Sequence, residues 1–257
     1  MNARQQFTAF KTLLFKEVRR FMRIWVQTVL PAAITTSLYF VIFGKMIGSQ
    51  LANINGYSYM EYIVPGIILM AIINNSYANV VSSFYSAKFQ HHVEEMLVSP
   101  MPNYLILLGF VCGGVLRGLI VGLVVMLVSL FFTEPASFNV AITLTVAVLT
   151  AMLFSLAGFL NAVFAKSFDD ISIIPTFILT PLTYLGGIFY SIDMLPDFWQ
   201  HVSRLNPIMY MINAMRYGML GVSDIDVSYA LLIIILFVCS LFAFSLYLLN
   251  KGVGIRS

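Results

Sequence analysis

Few side chains in this sequence are equipped for chemistry. Two carboxylate pairs, Glu94-Glu95 and Asp169-Asp170, and one imidazole pair, His91-His92, stand in short polar stretches between long apolar runs. Paired acids can hold a metal, but adjacent residues on a helix project about 100° apart, and His201 lies in a different polar stretch. No ligand set converges. No G-x-x-x-x-G-K-[ST] loop occurs, because Gly44-Lys45 lacks the upstream glycine; neither a nucleophile elbow nor H-E-x-x-H is present. Cys112 and Cys239 lie inside apolar runs and read as small buried residues, not as a disulfide. The expectation is a non-enzyme with no catalytic residue, no metal site and no cofactor of its own, and with no nucleic-acid partner.

What remains is polarity placed inside apolar text. Asn75, Asn79, Ser82, Ser83 and Ser86 share one helical face, as do Thr176, Thr180, Thr183, Tyr184 and Gly187. Buried amides and hydroxyls in lipid are costly unless paired or wet. Two readings stand: these faces line a substrate path, or they bond helix to helix within a bundle. Arg117 is a full charge inside an apolar run. A run of 1.5 Å per residue from Arg117 to Phe132 leaves the guanidinium roughly 7 Å inside a ~30 Å core, within reach of snorkelling. Snorkelling, a structural pair and contact with an anionic substrate all remain open.

The elements that must position these groups are membrane helices. The 257 residues are 60% hydrophobic and 10% charged, where a soluble domain carries about 25% charge. Six segments of near-spanning length follow an N-terminal helix: about 24–43, 62–87, 103–132, 140–165, 171–190 and 228–250. Residues 4–23 carry Phe7, Phe10, Leu14, Val18, Phe21 and Trp25 at three-to-four spacing with basic residues largely off the stripe, which predicts an amphipathic helix at the bilayer surface. With the N-terminus inside, ten of the 14 Lys and Arg fall on inner segments and three on outer ones, which predicts both termini in the cytoplasm. Gly114, Gly118 and Gly122 recur at four-residue intervals and read as a close-packing seam.

Two connecting stretches have their own structure. Lys88 to Asn103 predicts a short helix with Phe89, Val93, Met96 and Leu97 on one face and Glu94-Glu95 beside it, ended by Pro100 and Pro102. It is either a solvated interfacial helix or a helix that docks in a partner's groove, and the absence of any energy source in the chain favours docking. The stretch 191–227 is broken by Leu195-Pro196 and Asn206-Pro207 and predicts a re-entrant outer hairpin. Broken helices at membrane depth persist where protein or a water-filled cavity covers the freed backbone groups.

Leu179, Leu182, Leu185, Gly186, Ile188, Leu195-Pro196, Pro207-Ile208, Tyr210 and Arg216 resemble the signature of the permease subunits of type-2 ABC exporters at every fixed position. The surrounding FDDIS, PTFILTPLTYLGG and RFMRIWVQT are similar to the YadH-like bacterial permeases. The resemblance implies an all-α inner-membrane permease of six spans working as a homodimer, in contact with membrane lipids and driven by two copies of a separate ATPase that binds ATP and Mg. It also implies that residues 88–102 are the coupling helix, with Glu94-Glu95 ahead of apolar anchors. Export is implied in the same way. The competing expectation, a secondary carrier or channel, lacks the mid-span acid it usually needs.

Overall fold

In a computed structural model, residues 1–50, 53, 54, 56–134 and 139–254 are described, and among them helices and short turns form with no β-strand. The Asn55 corner of the NING turn, most of the Thr133–Asn139 loop, Arg256 and the Lys45 side chain lie outside the described residues. Among the described residues, five helices are long and apolar enough to cross a membrane: Trp25–Gly44, Tyr59–Phe89, Asn103–Ser129, Val140–Phe164 and Val227–Lys251. In chain order we label α1 Ala3–Arg23, α2 Trp25–Tyr39 (continued by a wider-wound stretch, Phe40–Ile47), α3 Tyr59–Phe89, α4 His92–Val98, α5 Asn103–Ser129 and α6 Val140–Phe164. The broken segment follows as α7 Asp170–Ile174, α8 Thr180–Leu185, α9 Asp197–Arg204 and α10 Pro207–Leu220, and α11 Val227–Lys251 closes the chain.

Starts are fixed locally. Ser58 and Glu61 form a reciprocal cap on α3, with Ser58 N–H donating to Glu61 Oε2 at 2.8 Å. Asn139 Oδ1 accepts from the Ile142 amide at 3.2 Å to open α6, and Asp226 Oδ1 accepts from Tyr229 at 3.0 Å to open α11.

α3 is the centre. It packs most extensively on α5 and α6, and most of its length is buried. The predicted glycine seam makes the α3–α5 contact: a Cβ at Gly114 would meet Val80 and Ser155, one at Gly118 would meet Ser76, and one at Gly122 would sit 2.6 Å from Ile72. Opposite, a Cβ at Gly158 of α6 would come 2.6 Å from the Tyr77 carbonyl oxygen. α11 lies against α6 and α10 and shows Leu232, Ile235, Leu236 and Phe244 outward. The start of α1 and the end of α11 lie at the α4 end of the bundle: Tyr104 Oη donates to Gln6 Oε1 at 3.1 Å, and Asn103 Nδ2 to Asn250 Oδ1 at 2.8 Å.

Two elements differ from expectation. The segment predicted over 171–190 is helical only over Asp170–Leu185, about 24 Å at 1.5 Å per residue against a core of ~30 Å. Pro181 has no amide to donate, and the turn ahead of it, Pro175–Leu179, is wound wide. Thr180 Oγ1 donates to the Pro175 carbonyl at 2.9 Å and so fills part of the gap. The chain then turns at Gly187, whose φ of +83° suits glycine.

The second is α1. It packs along α5 and turns Leu13, Glu17 and Phe21 inward, while Phe7, Phe15 and Trp25 are exposed. A Cβ at Gly113 would lie 2.7 Å from Glu17 Cβ, so α5 offers a second small-residue face to α1. The inward face shares Phe21 with the predicted stripe, whose Phe10, Leu14 and Val18 are half-buried, and adds Leu13 and Glu17, which sit against Gly109 and Gly113 of α5.

Candidate functional site

The predicted polar stripe of α3 is taken up by α1. Glu17 is fully buried, and Ser83 Oγ shares its proton between the two carboxylate oxygens at 2.8 and 2.7 Å. Arg20, one turn on, lies 3.5 Å from Glu17 Oε2 and donates from Nη2 to the backbone and side-chain oxygens of Asn79 at 2.8 and 2.9 Å. Its Nη1 reaches Ser82 Oγ at 3.4 Å. One turn further along α3, Asn75 Oδ1 receives Arg117 Nη2 at 3.5 Å. Arg117 therefore does not snorkel to a helix end; it turns to the middle of α3. Asn75, Asn79, Ser82 and Ser83 come together in one polar belt that holds α1, α3 and α5.

The second stripe behaves differently. Thr176, Thr180 and Tyr184 are exposed at four-residue spacing, whereas Thr183 is buried and returns its hydroxyl proton to the Leu179 carbonyl at 2.6 Å. α3 meets this segment across an open groove of about 410 Å³ lined by Asn74, Ala78, Ser82, Ser172, Thr176 and their apolar neighbours. α2 packs on α5 and exposes Ile34, Thr35 and Leu38. Tyr39 joins it to the broken segment, with its hydroxyl 3.5 Å from that of Tyr184 and its ring 6.0 Å from Phe189.

The signature residues build the break. Leu195 is half-buried, and its carbonyl accepts from Gln200 Nε2 at 2.8 Å; Pro196 sits at the cap position of α9. Asn206 caps α10 through the Ile208 amide at 3.0 Å, and its Nδ2 donates to the Leu182 carbonyl at 2.6 Å, one of the orphans α8 leaves. Pro207 occupies the first turn of α10, where no amide partner is needed. Tyr210 Oη donates to the Arg204 carbonyl at 2.8 Å. Arg216 is buried in the centre: Nη2 donates to Gly187 O at 2.8 Å, Nη1 lies 3.5 Å from Asp224 Oδ2, and the guanidinium stacks 3.9 Å above the Tyr62 ring.

At the opposite end of the bundle, α3 breaks at His91, whose φ is +59°. Val93 is fully buried and Met96 and Leu97 pack half-buried on the core, while Phe89, Glu95 and Val98 are exposed. Glu94 lies 3.3 Å from His91 Nδ1. The predicted single apolar face is thus divided, part of it spent on the fold. Phe89 and Phe168 stack edge-to-face at 5.3 Å, joining the end of α3 to the 165–169 loop. Lys88 reaches across and donates to the carbonyls of Val163 and Ala165 at 2.6 and 2.9 Å, a cation on the C-terminus of α6.

Glu17, Arg20 and Asn74 were not singled out by type and spacing. An acid inside a basic tail reads as solvated; the signal was the i, i+4, i+8 row Leu13, Glu17, Phe21. Among the described residues no three metal-ligating side chains cluster.

Residues 8–220 match the ABC-2 type transporter family. The chain is 52% identical over 251 residues to the inner membrane transport permease YadH of Escherichia coli strain K12, covering 98% of each chain. It is also 24% identical over 187 residues to nodulation protein J of Rhizobium meliloti strain 1021, covering 72% of this chain and 71% of that one.

Proposed function

This chain belongs to the ABC-2 type transporter family, and from that premise we propose that it is the membrane permease of an exporter. It works as a homodimer in the bacterial inner membrane, with both termini in the cytoplasm and two copies of a separate ATPase that binds ATP and Mg. The residues 171–190 and 191–227 act as a short span and a re-entrant cap, and α4 with the 165–169 loop receives the ATPase.

The observation that carries this reading is the contrast between two exposed sides. α11 exposes a mostly apolar face, Leu232, Ile235, Leu236 and Phe244, with the Ser240 hydroxyl returned to the Leu236 carbonyl at 2.7 Å. The side formed by α2, α3 and Asp170–Leu185 instead interleaves Thr35, Asn74, Thr176, Thr180 and Tyr184 with apolar residues. Exposed polar groups at membrane depth are favoured where they face a cavity or another helix. A second copy meeting this side would enclose the groove.

An ion-coupled carrier would need an exchangeable acid, and among the described residues the buried carboxylates are already engaged, Glu17 by Ser83 and Arg20 and Asp224 by Arg216. The test is purification from native membranes with a tag on the permease. A dimer carrying an ATP-hydrolysing subunit in equal stoichiometry supports the reading. A monomer without such a subunit, whose transport follows an ion gradient, would return the carrier.

A further inference from the structure

Arg117 sits at the midpoint of a 27-residue helix, about 20 Å from either end at 1.5 Å per residue. Its Nη2 donates to a neutral amide, Asn75 Oδ1 at 3.5 Å, and its Nε is buried without a partner. Among the described residues no carboxylate lies within 4.0 Å of it. The neighbouring carboxylate, Glu17, is engaged by Arg20 and Ser83. Asn75 and Asn79 stand four residues apart on α3, so the two guanidiniums they hold lie on one helix face about one turn apart. Two cations and one anion share a desolvated belt, and an uncompensated charge at that depth is costly unless something pairs with it.

The belt also has an opening. Arg20 is 32% exposed, and its Nη1 bonds the same Ser82 that lines the groove between α3 and α7. We propose that Arg20 and Arg117 form a site for the anionic headgroup, of the phosphate or sulfate class, of an amphiphile that lies in this groove. The proposal rests on the groove being the transport surface, and it names the substrate class. Asn75 and Asn79 are positioning residues that hold the two guanidiniums one turn apart on α3, beside the groove that Arg20 reaches through Ser82, and α2 offers apolar surface for the tail.

Binding is tested on the full permease without the ATPase, in neutral detergent containing equal phosphatidylglycerol and phosphatidylcholine, by counting retained lipid in native mass spectra. The wild type should prefer phosphatidylglycerol, with a contribution of about fivefold per arginine. Arg117→Gln should lose its share of that preference with an unchanged or raised melting temperature, and Arg117→Lys should keep most of it. Equal retention of both lipids by the wild type, or an undiminished preference in Arg117→Gln, overturns the proposal. So does arginine-dependent capture of inorganic phosphate with no lipid preference, which would assign the site to a free anion. ATP hydrolysis by the complex is scored separately. Lost lipid preference with intact ATP coupling leaves the transporter reading standing, and lost coupling with intact preference leaves the site standing.

Discussion

Ser83 Oγ lies within 2.8 Å of both carboxylate oxygens of Glu17, a contact that joins the N-terminal helix to the central one. Hydrogen bonds to charged groups contribute about 1.5–3 kcal/mol, and a buried carboxylate stripped of its donor keeps its desolvation cost. Ser83→Ala should therefore lower the melting temperature in detergent by several degrees, given roughly 2–4 °C per kcal/mol for a chain of this size. Glu17→Ala should be worse than Glu17→Gln, because the amide can still accept from Ser83. Equal melting of all three variants with the wild type would mean that α1 is held by its apolar contacts alone.

Arg216 offers a second test. It is 1% exposed and bonds Gly187, Asp224 and the Tyr62 face together. Arg216→Ala leaves Asp224 buried without its partner, so a loss on the order of 3–5 kcal/mol is expected, read as low yield of folded protein. Lysine should not restore it, since a point charge cannot both stack on Tyr62 and reach two oxygens. Normal yield with lost transport would make Arg216 a mechanical residue of the cap.

At the α4 end, exposed and buried anchors should separate. Phe89→Ala with Val98→Ala should weaken co-purification of the ATPase by more than about 2 kcal/mol, roughly thirtyfold, with only the small drop in melting that loss of the Phe89–Phe168 contact brings. Val93→Ala should do the reverse, lowering melting because its side chain is inside the fold. Glu95→Lys should weaken docking in a salt-dependent manner if the partner surface is basic. Retention of the ATPase at full stoichiometry by the Phe89, Val98 and Glu95 variants together would move the docking site to α1.

Orientation is checked by labelling. In a Cys112→Ala, Cys239→Ala background, a cysteine at exposed Ser228 should react with an impermeant thiol reagent on intact cells, and one at exposed Ser99 should not. Reaction at Ser99 alone would invert the topology.

The spans were legible because hydropathy is summed over some twenty residues, and errors at single positions average out. The break after Tyr184 was legible as a break, since Pro181 and Gly186-Gly187 are strong local signals. Its length was not: the wide turn at Pro175–Leu179 depends on how Thr180 and Thr183 reuse freed carbonyls. The α3 stripe showed polarity but not its partner. Asn79 reads alike whether it faces a pathway or Arg20, and only the tertiary fold brings residue 20 beside residue 79.

The glycine seam between α3 and α5 has a mechanical consequence. With Ser76 seated where a Cβ at Gly118 would stand, and Ile72 at Gly122, the two backbones are too close to slide or part without unpacking both helices. Gly158 ties α6 to Tyr77 in the same manner. A push applied at α4 would therefore move these three helices as one stiff lever along the length of α3, and displacement would be left to the elements hung outside it: α2, and the pieces α7 and α8 on either side of the wide turn Pro175–Leu179.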